Sequence, residues 1–216
     1  MTITAEEEVW PPQVHLQNVT WDMYQKLLRS VGEQNLRLTY DQGELEIMSP
    51  LPEHEIEKKL LARLIESMGD ELEIDVEGLG STTFKRKSLK KGLEPDECYY
   101  IRSASAIRGK KRLDLKREPP PDLAVEVDLS YRTIDKRAIY AALAVPEIWS
   151  LDGGKLEFLH LRRGKYEPRE TSLSFPFLRA VDVERFVHML EDKSQSAIIK
   201  MWRSWIHKNL PLKGSR

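Results

Sequence analysis

Three residues far apart in the chain have the types that phosphate chemistry needs. Asp96 follows Pro95, Glu126 lies inside the run PPDLAVEV, and Lys136 opens a helix-forming stretch. Two carboxylates and an amine, once gathered, can hold a divalent cation against a phosphodiester. Mg²⁺ takes about six oxygen ligands and gives up water reluctantly, so two carboxylates, a backbone carbonyl, waters and a substrate phosphate suit it. Mn²⁺ accepts the same donors. Such a site needs no organic cofactor.

Local periodicity says how these side chains could meet. In a strand, Leu123, Val125 and Val127 share one face while Ala124, Glu126 and Asp128 share the other. Asp96 begins the strand that carries Cys98 and Tyr100, where a bend can aim it at Glu126 of a neighbouring strand. Lys136 falls in the first turn of a helix, where the macrodipole already presents positive charge, so a cation there costs stability. It shares a stripe with Ile139, Tyr140 and Leu143, which turns its amine toward the sheet. A desolvated lysine so placed can orient or deprotonate the attacking water, or stabilise charge in the transition state. Glu57 stands in register with Leu61, Leu64 and Met68 and is a candidate third ligand for metal or water. His54, one turn earlier, is a candidate phosphate contact.

Each residue also has a structural reading. Asp96 suits a turn, Glu126 a cross-strand pair, Lys136 a chain reaching back to water, and His54 a cap or surface position. Asp122 after Pro121 is a rival for Asp96 but shares its strand with Glu126. Tyr99, Tyr100 and Tyr140 read as core, Cys98 as a small buried residue, and Asp128, Asp135 and Asp152 as structural.

The net charge of -1 hides a strong segregation. Residues 85–117 hold twelve Lys/Arg against four Asp/Glu, eight net positive charges, and the remainder is left with nine net negative ones. Lys85, Arg86, Lys87, Lys90, Lys91, Lys110, Lys111 and Arg112 are therefore candidate contacts for a polyanion. A solvated loop would have the same composition.

The elements that must carry these residues are legible in outline. TWDMYQKLL predicts a short helix with Trp21, Tyr24 and Leu28 on one side, and LRLTYDQGELEIM a hairpin. SPLPEHEIEKKLLARLIESM predicts a long helix with Ser49 as cap, Pro52 near its first position, and Ile56, Leu60, Leu61, Leu64, Ile65 and Met68 as its apolar face. ELEIDVEG, STTFKRK, PDECYYI and PPDLAVEV predict strands. A helix over 133–144, ended by Pro146, and a hairpin around Asp152, Gly153 and Gly154 follow. The fold class expected is α/β, a central mixed sheet flanked by helices. Residues 1–182 form the main domain. Residues 183–216 form a helical extension, whose Ile198, Met201, Trp202 and Trp205 edge packs on the core or on a second subunit. One cysteine, an N-terminus without basic and apolar leader segments, and the lack of an apolar run near roughly 20 residues point to a cytoplasmic protein outside the membrane.

SPLPEHE, EPDECYYI, PPDLAVEV and DKRAIYAALAVPEIW, in that order, make the chain resemble the Uma-two family of restriction-endonuclease-like bacterial proteins, within the PD-(D/E)XK nuclease superfamily. The resemblance runs from about Trp21 to the C-terminal helices. It implies a restriction-endonuclease-like fold and a Mg²⁺-dependent endonuclease acting on DNA; because one such site cuts one strand, double-strand cleavage points to a homodimer. It also implies Asp96 and Glu126 as metal ligands and Lys136, four residues before Tyr140, as the displaced catalytic lysine. The superfamily's simple spacing puts lysine at 128, where this chain has Asp128. His54 matches a histidine that opens the family's first long helix. An RNA nuclease, or a non-catalytic module binding nucleic acid or protein on the same scaffold, would have the same fold.

Overall fold

A computed structural model of the chain describes residues 12–32, 34–110, 113–127 and 132–210. Its strands form two sheets where the sequence suggested one. In the first, β1 (Gln13–Leu16), β2 (Arg37–Asp41), β3 (Glu44–Met48), β5 (Phe84–Arg86) and β6 (Lys91–Leu93) lie in the order β1-β3-β2-β6-β5, all antiparallel. In the second, β4 (Glu77–Gly78), β7 (Glu97–Tyr100), β8 (Leu123–Val127), β9 (Glu147–Asp152), β10 (Lys155–Arg162) and β11 (Lys165–Arg169) lie in the order β11-β10-β9-β8-β7-β4. Its pairs are antiparallel except β8 with β9. A parallel pair needs a crossover, which α4 (Lys136–Ala142) supplies.

Both predicted hairpins form. Gln42 and Gly43, at φ 49° and 112°, turn β2 into β3, and Gly153 and Gly154, at 54° and 78°, turn β9 into β10. These left-handed conformations suit the twist of two-residue turns and favour glycine. β1, β6 and β11 escaped the sequence reading because each has five residues or fewer, and β1 and β11 are mostly exposed.

α1 (Trp21–Val31) is capped by the Thr20 hydroxyl, which accepts from Met23 N, and packs Trp21 and Tyr24 on Tyr40 of the first sheet. α2 (Pro52–Leu72) opens on Pro52 with Leu51 at its cap position and no side-chain cap bond, so Ser49 does not cap it. The helix runs through Glu71 and Leu72, residues assigned above to a strand. Leu60, Leu61, Leu64, Ile65 and Met68 are buried as expected. Ile56, 49% exposed, is not.

The largest apolar cluster lies between α2 and one face of the second sheet, with Leu123, Val125, Val127 and Trp149 at its centre. α5 (Ala180–Val187) and α6 (Gln195–Asn209) close it. Trp202 is fully buried there and donates its indole N–H to Leu64 O at 2.9 Å. The tryptophan edge of α6 is thus packed within its own chain, with Met201 left 41% exposed. On the other face, Cys98, Tyr100, Ala124 and Ile148 meet Ile139 and Tyr140 of α4, beside α3 (Ala104–Ile107). No helix among the described residues is long and apolar enough to cross a membrane.

Candidate functional site

β8 is fully buried along its length, with strands on both sides. Its alternation sends Leu123, Val125 and Val127 into the α2 cluster and Ala124 toward α4. Glu126 projects on that second side with no solvent exposure. β7 pairs with β8 so that Glu97 lies opposite Val125. One residue earlier, Asp96 comes level with Glu126, where directly opposed residues of antiparallel strands point the same way. Asp96 is nearly buried, and its Oδ2 accepts Val127 N at 2.9 Å, which fixes the carboxylate at the end of β8.

α4 starts later than predicted, at Lys136 rather than Thr133. Asp135 is extended, at φ -68° and ψ 94°, so no helix runs through it, and Glu46 of β3, itself buried, accepts Thr133 N at 2.7 Å and Ile134 N at 3.2 Å in the segment before it. Asp135 then caps α4 by accepting Arg137 N at 2.9 Å. Lys136 becomes the first helical residue, 1% exposed. Its Nζ donates to Glu126 Oε1 at 3.0 Å, Glu126 Oε2 at 2.8 Å and Glu94 O at 3.2 Å. Those three bonds use all the donors of an ammonium. Tyr140, one turn on, donates its hydroxyl to Glu126 Oε1. The reading of Tyr140 as core is therefore incomplete: its ring is in the core and its oxygen is in the site.

Burial pushes the Glu126 carboxyl up to about 7; the positive charge of Lys136 opposes this, the Asp96 carboxylate adds to it, and the charge of Arg132 opposes it again. Burial, then the neighbouring Glu126, pushes the Tyr140 phenol well above its ordinary value, so it remains a donor. On the α2 side, Glu97 is also raised, chiefly by burial, against the pull of Lys58 and with Glu66, Asp96 and Glu55 adding to the rise.

The structure thus brings Asp96, Glu126 and Lys136 together. Glu57 and His54 are half-buried in the first turns of α2, the helix that covers the opposite face of the sheet. Among the described residues no group of three Asp, Glu, His or Cys side chains is arranged to hold a metal. The rival Asp122 sits at the start of β8 and is structural: its Oδ2 accepts from Ile101 N, Ser103 N and Ser103 Oγ at 2.8–2.9 Å. Cys98 is buried, with Sγ 3.3 Å from Gly80 O, and burial raises its thiol. Asp135 caps α4, and Asp152, at the end of β9, accepts from Ser150 Oγ at 2.6 Å; Asp128 lies outside the described residues.

The basic run divides. Lys85 through Lys91 form the β5–β6 hairpin at the edge of the first sheet. Lys91 is paired with Asp41 at 2.5 Å, Arg86 donates to Leu115 O at 2.8 Å, and Lys110 pairs with Glu118 at 2.9 Å. Lys85, Lys87 and Lys90 are exposed, and the latter two border a groove of about 760 Å³ with Trp21 and Tyr40. Lys111 and Arg112 lie outside the described residues. Of the supporting residues, Glu46 and Arg132 were missed: Glu46 acts 87 residues from Thr133, and Arg132 lies in the connection before α4, outside any periodic element.

A family model described as "Uma2: Putative restriction endonuclease" matches residues 21–193. Among solved structures, one titled as a "putative nuclease", from Anabaena variabilis ATCC 29413, superposes with a TM-score of 0.54 at 16% identity, covering 78% of this chain and 99% of that one. At that identity the likeness concerns the fold. No curated protein matches.

The raised Glu126 carboxyl gives a testable pH dependence. Between its ordinary value of 4.5 and about 7 the folded state holds a proton that the unfolded state has lost. Stability of the metal-free protein should therefore fall as pH rises through that window and level off above it. Glu126→Gln should remove this slope. Lys136→Ala should cost about 3–5 kcal/mol at pH 8, where it strands a buried carboxylate, and less at pH 5. Urea midpoints at the two pH values check this; equal slopes for wild type and Glu126→Gln would refute it.

Proposed function

Because the chain belongs to the Uma2 family, described as restriction-endonuclease-like, we propose that it is a metal-dependent endonuclease that hydrolyses phosphodiester bonds in DNA, with Mg²⁺ or Mn²⁺ held by Asp96 and Glu126. The observation that carries this reading is the side-by-side placement of those two carboxylates, with Lys136 bonded to one of them, in a buried corner of the second sheet.

The donor set fits such an ion. Both groups are hard oxygen donors, and the like charges of Asp96 and Glu126 oppose each other at close range. Among the described residues Asp96 accepts one main-chain N–H, and Glu126 Oε2 accepts only from Lys136. Lone pairs therefore remain on each. A bound divalent cation would supply Lewis acidity toward a phosphate oxygen and toward water.

The residues present do the rest. Lys136 and Tyr140 hold the Glu126 carboxylate in one orientation, and the ammonium, desolvated at the head of α4, adds positive charge where a phosphoryl group gains negative charge. Although α2 covers the other face of the sheet, Glu55 and Lys58 in its first turns act electrostatically on Glu97 beside Asp96, and from there Glu57 is proposed as an auxiliary group for water and His54 as a contact for a flanking phosphate. Lys85, Lys87 and Lys90, with Lys110, Lys111 and Arg112, are proposed to follow the nucleic-acid backbone. Arg86 and Lys91 contribute charge to that surface while bonded within the fold.

Purified protein should nick supercoiled plasmid with Mg²⁺ or Mn²⁺ and lose the activity in chelator. Asp96→Ala or Glu126→Ala should each lower the rate at least about 10²–10³-fold, by analogy with the loss of one electrostatic group from an active site. Undiminished nicking by both variants would assign the activity to a contaminant and leave a binding module on a nuclease scaffold. Matched DNA and RNA substrates digested side by side decide the sugar, with DNA cut faster.

Lys87→Ala and Lys90→Ala should each reduce the slope of log K against log salt for duplex binding by about 1 and leave sequence preference unchanged. An unchanged slope removes the hairpin from the interface. One carboxylate pair cuts one strand, so double-strand cleavage implies two copies. Light scattering at micromolar concentration should report a dimer, and a monomer would remove that part of the proposal.

A further inference from the structure

Arg132 lies in the segment that enters α4, four residues before Lys136. Its neighbours Thr133 and Ile134 are pinned by their amides to Glu46, and Asp135 caps the helix, so the backbone that bears Arg132 is fixed from the first sheet. Its guanidinium reaches the candidate site closely enough for its charge to act on Glu126. Two of its nitrogens, Nε and Nη1, are buried without a hydrogen-bond partner.

That state is costly. A guanidinium is always charged, its donors demand acceptors, and buried donors are nearly always paired. By contrast Lys136 has no donor to spare, since both Glu126 oxygens and Glu94 O take its three N–H groups. A phosphodiester brought to the carboxylate pair would need donors that the lysine cannot give without releasing Glu126. Arg132 holds them in reserve. Planar guanidinium suits the tetrahedral oxygens of phosphate better than a point charge does.

We propose that Arg132 is a catalytic residue of this site, binding a non-bridging oxygen of the scissile phosphate through its uncommitted N–H groups. The orphaned donors are then the apo form of a phosphate contact, and Lys136 is reserved for holding Glu126. This assignment rests on the nuclease reading above.

The test uses the full chain with Arg132→Ala and Arg132→Lys. Under Mg²⁺, Arg132→Ala should lower kcat/KM for plasmid nicking by about 10²–10³-fold, and Arg132→Lys, which keeps charge but loses the planar donors, by less. Millimolar guanidinium chloride should restore part of the Arg132→Ala rate and have no such effect on Lys136→Ala. Affinity for a short fluorescein-labelled duplex, measured by anisotropy in EDTA, should fall about tenfold in Arg132→Ala, as expected for loss of a charge-assisted bond. Wild-type kcat/KM in Arg132→Ala, or a loss that guanidinium leaves untouched in a variant with the wild-type urea midpoint, overturns the assignment. If Arg132→Ala does not fold, Arg132→Lys decides: wild-type kcat/KM and affinity together refute the proposal. Should wild type show no nicking at all, the nuclease reading fails on its own. The anisotropy comparison then still judges Arg132, and equal affinities refute it.

Discussion

A carboxylate with no access to water, bound to an ammonium that is itself 1% exposed, is the constraint on which the second sheet and its crossover helix are built. Removing either charge from water costs several kcal/mol, and the attraction repays this only where geometry is good and remaining lone pairs are satisfied. Here Lys136 spans both oxygens of Glu126, and Tyr140 supplies a further donor from the next helical turn. The fourth residue of β8 and the first of α4 must therefore meet. A shift of α4 by one residue would strand both charges. Because two apolar groups of equal volume would do as well or better for stability, the ion pair is weak evidence of a stabilising role and stronger evidence of a chemical one.

The first sheet is part of that arrangement. Glu94 is the joint. Its carboxylate accepts Leu38 N at 3.1 Å and Thr83 Oγ1 at 2.7 Å, its carbonyl accepts from Lys136, and Pro95 and Asp96 follow directly. Glu46 reaches from β3 to the amides before α4. Both sides of the site, the strand that presents Asp96 and the helix that presents Lys136, are thus positioned from a sheet that contributes no side chain to the carboxylate pair itself.

The members of the candidate site were more legible in the sequence than their supports. Strand alternation in PPDLAVEV found Glu126, and the stripe of Lys136 with Ile139 and Tyr140 found the inward amine, because both rest on local periods of two and 3.6 residues. The family resemblance reinforced the same three residues. What no local period encodes is the long-range acceptor. Glu46 acts 87 residues from Thr133 and anchors the segment that enters α4. The division of strands between two sheets was hidden for a related reason: β1, β4 and β6 have four residues or fewer, and pairing partners rather than composition define them. The basic run was legible as charge and misleading as surface, since Arg86, Lys91 and Lys110 are bonded within the fold.

Burial alone would not have picked out the site. Five carboxylates are buried among the described residues: Glu46, Asp96, Asp122, Glu126 and Glu147. Their hydrogen bonds separate them. Glu46 accepts two main-chain N–H groups through one oxygen. Asp122 takes three donors from the turn after β7. Glu147 takes the Trp149 indole and the amides of Leu173 and Ser174. In each of these three, the carboxylate ends a segment of backbone that would otherwise be buried unpaired, a sufficient structural reason for its presence. Glu126 is held by an ammonium and a phenol, both of them side chains, and closes no stretch of main chain. Asp96 takes a single main-chain amide and faces another carboxylate, an arrangement that raises energy in the isolated protein. Two acids set against each other, one held by side chains and the other by a single main-chain amide, are the feature of this corner that the proposed divalent cation would account for.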